Sequence, residues 1–385
     1  MDVINGNRIT LLKNGAEFFP ALIDAIDAAA QDIRIETYIF EADTEGQRIA
    51  DALKRAARRG VAVRLLVDGV GSWATPLSFF DELHETGIKI LLFRPVRRWF
   101  KIRRSQFRRV HRKIALVDGK VGFVGGINFV DDFNGSLSPH PRYDYAVKVE
   151  GPLLAEIYPS VHHLWRWVSW RYLRRTDVGG TPVIVDPAPV GSHQAAFVVR
   201  DSVRHRRNIE RAYLRAIMHA RSDILLVCPY FLPGRHLRRV LIAVAKRGVH
   251  ITILLQGRAD HRLLQMATRA LYAQLLGAGI AVYEYEKSML HGKVAVVDDS
   301  WATVGSSNLD PFSLFLNREA NVVVLDAGFA RQLRESVLAE IQEGAMVCSA
   351  EDWQNRSYLS RVQSWFAYGL ARWVAGVIGF SKYWQ

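Results

Sequence analysis

Apolar runs alternate with amphipathic stretches along this chain, and the same order of elements occurs twice. In the first half, residues 32–40 (DIRIETYIF) and 61–68 (VAVRLLVD) are apolar runs with β-branched residues, a pattern typical of strands. In the second half, residues 223–231 (DILLVCPYF) and 249–256 (VHITILLQ) stand in the same places. Strands separated by helices predict parallel α/β units, so the expected fold class is α/β.

Glycines mark the predicted helix ends in both halves. A basic helix ends at Gly60 in the first half and at Gly248 in the second, each directly before a strand. A further helix ends before Gly87 and before Gly279, and a short strand follows each. Glycine is favoured just after a helix, where the backbone turns left-handed. Two matching halves predict a pseudo-dimer with an internal two-fold axis, which brings related motifs to one shared interface.

The repeat sets the expected domain limits. Residues 1–175 form the first repeat, and residues 195–347 form the second. The linker is expected over residues 176–194, which are rich in glycine and proline. Residues 348–385 form an amphipathic C-terminal segment. The N-terminus lacks a signal-like stretch and no run of about 20 uncharged residues occurs, so no membrane-spanning helix is expected.

A short polar motif also occurs twice, in step with the repeat. It has the form His-x-Lys-x4-Asp in residues 111–118 (HRKIALVD) and 291–298 (HGKVAVVD), and each copy leads into a glycine turn, GGIN or GSSN. The candidate catalytic residues are His111, Lys113, Asp118, His291, Lys293 and Asp298, and the turns add Gly126, Asn128, Ser306 and Asn308 as supporting or substrate-binding residues.

The chemistry of the motif suits cleavage of a phosphodiester. Side chains alternate along a strand, so His111 and Lys113 point the same way while Asp118 falls on the other parity. A histidine nitrogen can attack phosphorus, a second histidine can protonate the leaving oxygen, and lysines can neutralise the phosphoryl oxygens. We therefore interpret Asp118 and Asp298 as hydrogen-bonding supports rather than proton carriers. This scheme requires no metal and no cofactor.

Each histidine needs a carboxylate to fix its tautomer. Glu319 follows His291 by 28 residues, and Asp144 stands in the corresponding place after His111. Both open β-like runs, and we expect both to orient the histidines.

The bulk composition favours an anionic partner. The chain of 385 residues has 51 Lys and Arg against 38 Asp and Glu, a net charge of +13, which attracts nucleic acid, an acidic membrane or a phosphate ester. Only two cysteines are present, which excludes a disulfide framework and agrees with a reducing cytoplasm. Residues 69–74 (GVGSWA) match a dinucleotide fingerprint, but the acidic residue that should follow is not well placed, so no nucleotide cofactor is expected.

The doubled motif with its Gly-x-x-Asn extension resembles the phospholipase D superfamily over residues 8–345, and HRKIALVDGKVGFVGGIN is most similar to the short bacterial cardiolipin synthases. The resemblance implies two phospholipase D-like α/β/α repeats with mixed, largely parallel sheets and both motifs at one active site. It also implies a phosphatidyl-histidine intermediate with His111 as the nucleophile and His291 as the acid/base, whereas the residues alone allow the reverse. Gly126 stands where the second half has Ser306.

Three stretches that combine basic and aromatic residues favour a lipid surface over a nucleic acid. They are residues 94–112, 161–175 and 360–384, and they contain seven of the ten tryptophans. We therefore predict a peripheral enzyme on the cytoplasmic side of a bacterial cell membrane that makes cardiolipin from phosphatidylglycerol and a second lipid alcohol, without a nucleic-acid partner. A phospholipase D-type hydrolase and a nuclease of the same superfamily are the alternatives. The oligomeric state stays open.

Overall fold

A computed structural model describes residues 1–95, 108–134, 138–172, 183–201, 204–258, 262–351 and 357–375. The first half contains seven strands: β1 Ile4–Lys13, β2 Asp32–Thr37, β3 Ala62–Asp68, β4 Lys89–Phe93, β5 Lys113–Val117, β6 Val121–Gly125 and β7 Tyr145–Glu150. Its helices are α1 Asn14–Asp27, α2 Thr44–Arg58, α3 Leu77–Glu85 and α4 Leu154–Arg171.

The second half repeats this order and extends it. Its strands are β8 His193–Arg200, β9 Asp223–Val227, β10 His250–Gln256, β11 Ala281–Tyr285, β12 Val294–Val297, β13 Trp301–Gly305, β14 Glu319–Leu325 and β15 Ala345–Val347. Its helices are α5 Asn208–His219, α6 Arg235–Lys246, α7 Arg262–Arg269, α8 Tyr272–Leu276, α9 Pro311–Phe315, α10 Ala327–Gly344 and α11 Tyr358–Ala375.

All fifteen strands form one sheet in the order β15-β11-β10-β9-β12-β13-β14-β8-β1-β7-β6-β5-β2-β3-β4. Apart from β15, the order on one side of the β8–β1 junction repeats the order on the other side in reverse, as a two-fold axis requires. The α/β class, the repeat and the mixed sheet are confirmed. Parallel pairing is limited to β2–β3, β3–β4, β9–β10 and β10–β11, so antiparallel pairs outnumber parallel ones, in contrast to the expected largely parallel sheets. The reason is that β5–β6 and β12–β13 are hairpins that return beside β2 and β9.

The two halves share a core in addition to their own cores. Strands β6 and β7 lie against β13 and β14. One apolar cluster contains residues of both halves, including Val147 and Val149 from β7 and Val304 and Val322 from β13 and β14, all buried. Burial of apolar surface therefore holds the halves in a fixed relation, on which a site built from both halves depends.

The predicted helix ends are confirmed. Gly60, Gly87, Gly248 and Gly279 have φ values of 88°, 90°, 92° and 79° and follow α2, α3, α6 and α8. A side chain with a Cβ is strained in this left-handed region, which accounts for glycine at each position.

Two of the stretches expected at a membrane are residues 161–175, whose tryptophans mostly pack against the protein, and residues 94–112, which lie partly outside the described residues. In residues 161–175, Trp165 is buried and Trp167 packs on Phe93 with ring centroids 6.2 Å apart, so only Trp170 stays exposed. The apolar positions of α4 follow the helical period and face the core, so the tryptophans are there mainly for packing. In residues 94–112, residues 96–107 lie outside the described part of the chain. Residues 173–182 lie outside it as well, and they include the end of the 161–175 stretch and residues 176–182 of the predicted linker. The proposed domain limits stay a prediction.

Candidate active site

The two motifs lie at the ends of the parallel strands. β5 starts at Lys113 and runs antiparallel to β2, so His111 lies at the carboxyl end of β2, β3 and β4. In the same way β12 is antiparallel to β9, which places His291 at the carboxyl end of β9, β10 and β11. Sites in α/β folds commonly form at this edge, where loops leave the sheet.

Each histidine is fixed by backbone hydrogen bonds to the opposite half. His111 N–H donates to the carbonyl of Arg318 at 2.9 Å, and Arg318 N–H donates to Arg109 at 2.8 Å. On the other side, His291 N–H donates to the carbonyl of Tyr143 at 2.7 Å, and Tyr143 N–H donates to Met289 at 2.9 Å. The two motifs therefore meet at one interface. The residues that accept these hydrogen bonds, Arg318 and Tyr143, directly precede the carboxylates Glu319 and Asp144.

The carboxylates pair crosswise. His111 Nδ1 lies 3.0 Å from Glu319 Oε2, and His291 Nδ1 lies 2.5 Å from Asp144 Oδ2. Both acids orient a histidine as predicted, but each serves the histidine of the other half rather than the one it follows in sequence. An ionised carboxylate only accepts hydrogen bonds, so Nδ1 carries the proton and Nε2 keeps its lone pair for chemistry.

The surroundings of the two carboxylates differ. Ser306 Oγ donates to Glu319 Oε2 at 2.6 Å, and the Ser306 carbonyl lies 3.2 Å from His111 Nδ1. At the equivalent position a Cβ on Gly126 would overlap the carboxylate of Asp144. This explains why the first turn has glycine at position 126 where the second has Ser306, because the carboxylate of Asp144 leaves no room for a serine side chain.

Both lysines are buried beside the histidines. Lys113 is 4% exposed and Lys293 is 1% exposed. Lys113 Nζ donates to the carbonyl of His111 at 2.8 Å, and Lys293 Nζ donates to the carbonyl of His291. Burial, together with the charge of Lys293, lowers the pKa of Lys113 to about 7. Burial also lowers the pKa of Lys293, against the opposing effect of Asp144.

Burial sets the protonation of the remaining groups. Burial lowers the pKa of His111, and the charge of Glu319 partly opposes this shift. Burial lowers the pKa of His291 further, and the positive charges of Lys293 and Lys113 act in the same direction. Burial raises the pKa of Asp144 to about 6. The same burial acts on Glu319, but the charge and hydrogen bond of His111 outweigh it and lower the pKa of that carboxyl. Burial thus disfavours the charged forms of the two histidines and the two lysines in the free site, and a bound anion would stabilise those charged forms.

Asp118 and Asp298 are supports and do not belong to this cluster. Asp118 accepts hydrogen bonds from the backbone N–H groups of residues 30, 31 and 32, each at 2.8 Å. Asp298 accepts from the N–H groups of residues 221, 222 and 223 in the same way. Each has a left-handed backbone, with φ of 51° and 50°, in the turn after its strand. Both aspartates are therefore separate from the histidines and lysines, and their hydrogen bonds agree with the supporting role expected from the sequence.

The asparagines of the glycine turns are buried near the site. Asn128 Oδ1 accepts a hydrogen bond from the N–H of Ile39 at 3.2 Å, so it fixes the end of β2. Asn308 Oδ1 is buried and has no hydrogen-bond partner among the described residues. Among the residues that the structure describes, no group of three or more His, Cys, Asp or Glu is arranged to hold a metal ion.

Sequence reasoning missed Tyr38. Its ring lies edge-on to His111 with centroids 4.9 Å apart, and Lys113 Nζ lies 5.4 Å from its centroid. In the aligned strands of the second half, Pro229 takes this position, so the ring of Tyr38 has no aromatic counterpart at the equivalent residue. The sequence could have indicated Tyr38 as a site residue, because it directly follows a buried parallel strand at the edge where the motif was expected.

Comparisons with known proteins agree with this geometry. The family model described as "Cardiolipin synthase, PLD-like domain" matches residues 22–158 and 213–339. Cardiolipin synthase B of Salmonella typhimurium is 37% identical over 382 residues, which cover 97% of this chain and 90% of that protein. A probable cardiolipin synthase of Bacillus subtilis is 32% identical over 369 residues, covering 95% of this chain and 72% of that protein.

A solved structure shows the same fold at low sequence identity. The phosphatidylserine synthase of Haemophilus influenzae superposes with a TM-score of 0.71 at 14% identity, covering 98% of this chain and 95% of that one. The fold, the doubled site and the matched relatives together show that this chain belongs to the cardiolipin synthase family of proteins with phospholipase D-like domains.

Proposed function

We propose that this chain is a phosphatidyltransferase that makes cardiolipin from phosphatidylglycerol and a second phospholipid alcohol. The observation that carries the proposal is the single cluster in which two imidazoles, each held by a carboxylate, lie beside two buried lysines. One phosphodiester can be attacked and protonated there without a further group. The family relationship supports the same activity.

The first half-reaction forms a covalent intermediate. His111 Nε2 attacks the phosphorus of phosphatidylglycerol, and the bond from phosphorus to the glycerol oxygen breaks. His291, protonated when the anionic substrate is bound, gives its proton to that oxygen, and glycerol leaves. The roles of the two histidines follow the family resemblance, and the crosswise pairing supports either assignment.

The second half-reaction restores the enzyme. Neutral His291 takes the proton from the hydroxyl of the acceptor lipid, whose oxygen attacks phosphorus while the bond from phosphorus to His111 Nε2 breaks. Lys113 and Lys293 offset the charge of the non-bridging oxygens in both steps. Transfer to a lipid alcohol rather than to water requires that the acceptor excludes water from the intermediate.

The proposed place of action is the cytoplasmic face of a bacterial cell membrane, where the lipid substrates reside. The net charge of +13 supports attraction to an anionic surface. In the described part of the chain, no helix is both long and apolar enough to cross a membrane.

Mass spectrometry of lipids tests this function. Pure protein mixed with phosphatidylglycerol vesicles should produce cardiolipin and an equal amount of glycerol. Phosphatidic acid without cardiolipin would identify a hydrolase instead. Cleavage of labelled DNA under the same conditions, without a lipid product, would identify a nuclease.

A further inference from the structure

The C-terminal helix α11 is attached to the second half by one face. Ser364, Ala367, Tyr368 and Ala371 are buried, and they recur at the spacing of a helix face. The last three belong to the core cluster of the second half, and the helix packs along α7. Arg238 Nη1 donates to Tyr368 Oη at 3.1 Å, which ties the middle of the helix to α6.

The opposite face of α11 is apolar and exposed. Leu359, Val362, Phe366 and Trp373 are 72%, 45%, 72% and 65% exposed, and spacings of three, four and seven residues place them on one stripe. Trp365, at 58%, lies at the margin of this stripe. A helix that packs only on its own domain has polar residues on its outer face. A continuous exposed apolar surface of this kind indicates a binding partner.

The charges beside the stripe indicate the sign of that partner. Residues 358–375 contain no Asp or Glu, and Arg361 and Arg372 flank the stripe on the side of Trp365. A second copy of this chain would bring like charges together, because each copy has a net charge of +13 and the same arginines beside its stripe. An anionic lipid surface satisfies both the apolar stripe and the arginines.

The position of α11 relates it to the active site. α6 and α7 begin just after β9 and β10, at the strand ends that border His291. Arg238, which binds Tyr368, lies in the first turn of α6. The helix therefore lies at the same edge of the sheet as the catalytic cluster.

We propose that the exposed stripe of α11 (Leu359, Val362, Phe366 and Trp373) docks the protein in the plane of an anionic phospholipid surface, with the catalytic edge of the sheet towards the lipid. An amphipathic helix of 18 residues is about 27 Å long and can lie in the headgroup region without crossing the bilayer. The idea that docking delivers lipid to the active site rests on the proposed function. Docking itself can be measured without turnover.

Vesicle co-sedimentation of the full chain tests the docking. Phosphatidylcholine vesicles with and without phosphatidylglycerol are compared for wild type, for Phe366→Ser/Trp373→Ser and for the control Met218→Ser/Leu338→Ser. The control residues are exposed apolar side chains on α5 and α10. The wild type and the control should bind the anionic vesicles and release at high salt, and the stripe variant should bind at least about tenfold more weakly. Circular dichroism verifies that both variants are folded.

Equal vesicle binding by the stripe variant and the wild type would overturn the proposal. So would a wild-type dimer in solution that the stripe variant converts to a monomer, because the stripe would then bind a second copy. Turnover separates this inference from the proposed function. On phosphatidylglycerol dispersed in detergent micelles the stripe variant should match the wild type, whereas on vesicles it should be slower. If the wild type produces no cardiolipin in either form, the proposed function fails while the sedimentation result stands by itself.

Discussion

The catalytic cluster places two lysines in a buried site beside two histidines, and burial lowers the pKa of all four side chains. Such an arrangement costs free energy in the free protein, because cations lose hydration and repel each other. The cost is recovered when a phosphodiester anion binds, and more so as charge builds on the phosphoryl oxygens. The residues are thus suited to the reaction rather than to the stability of the free enzyme.

Loss of the Lys113 charge should limit activity at high pH. Its lowered pKa of about 7 means that the free enzyme loses this proton as the pH rises through 7, so kcat/KM should fall above that value. In Lys113→Arg the group stays charged, so the falling limb of the kcat/KM profile should move to higher pH, at a lower maximum. A falling limb at the same pH in both proteins would assign it to another group.

The ring of Tyr38, rather than its hydroxyl, should position His111. The contacts are an edge-on ring pair and a lysine over the ring face, and neither uses the hydroxyl. Tyr38→Ala should lower kcat about tenfold, because the imidazole gains freedom to turn from the line of attack. Tyr38→Phe is the matched control and should retain activity within about twofold. A loss in Tyr38→Phe as large as in Tyr38→Ala would assign the role to the hydroxyl.

Strand β5 and the two residues before it show how one element carries both chemistry and structure. His111 and Lys113 serve the active site, whereas Arg112 between them points to the other face. There Arg112 Nε and Nη2 donate to the two oxygens of Glu36 at 2.7 Å, and Nη1 donates to Ser160 Oγ at 2.8 Å. Both charged side chains are buried. This pair links the motif to β2 and α4 and holds the histidine in register.

Breaking the pair on one side should destabilise the fold. Arg112→Met leaves the Glu36 carboxylate buried without its hydrogen-bonded partner, so the free energy of unfolding in urea should fall by about 3–5 kcal/mol. The double variant Glu36→Leu/Arg112→Met removes both charges and should recover most of the loss. Equal stability of Arg112→Met and the wild type would show that the pair contributes nothing.

The sequence predicted the elements better than their pairing. Alternation placed His111 and Lys113 on one face, and the glycines gave the helix ends, because both are local properties of the chain. The antiparallel return of β5 beside β2 depends on a contact between segments about 80 residues apart, which no local pattern specifies. For the same reason Asp144 and Glu319 were recognised as the acids, whereas their exchange between halves was not.

At the scale of the molecule, the crosswise pairing of histidines and carboxylates makes the two halves interdependent. Each histidine takes its backbone anchor and its carboxylate from the other half, so neither half contains a complete catalytic pair. The shared apolar core keeps these partners in place across the interface. The result is a single site with two-fold related parts. Its two sides differ in the ring of Tyr38 beside His111, the hydroxyl of Ser306 beside Glu319 and the absence of a side chain at Gly126 beside Asp144.

The exchange predicts which histidine each acid affects. In NMR spectra of protein with ¹⁵N-labelled histidine, assigned with single His→Ala variants, Asp144→Asn should shift the ring signals of His291 and leave those of His111 nearly unchanged. Glu319→Gln should do the opposite, because each acid fixes one tautomer through Nδ1. Both variants should lose about a hundredfold or more in kcat. A shift of the His111 signals in Asp144→Asn, with none at His291, would refute the crosswise pairing.

The most direct test of a single site with two essential histidines is the turnover of the two single variants on phosphatidylglycerol vesicles, measured as cardiolipin by mass spectrometry. His111→Ala and His291→Ala should each lose about a thousandfold or more, because one removes the nucleophile and the other the acid/base. His163→Ala, at an exposed position on α4, should match the wild type. If either catalytic variant retained more than about a tenth of wild-type turnover, the two histidines would not act on one phosphorus atom as described here.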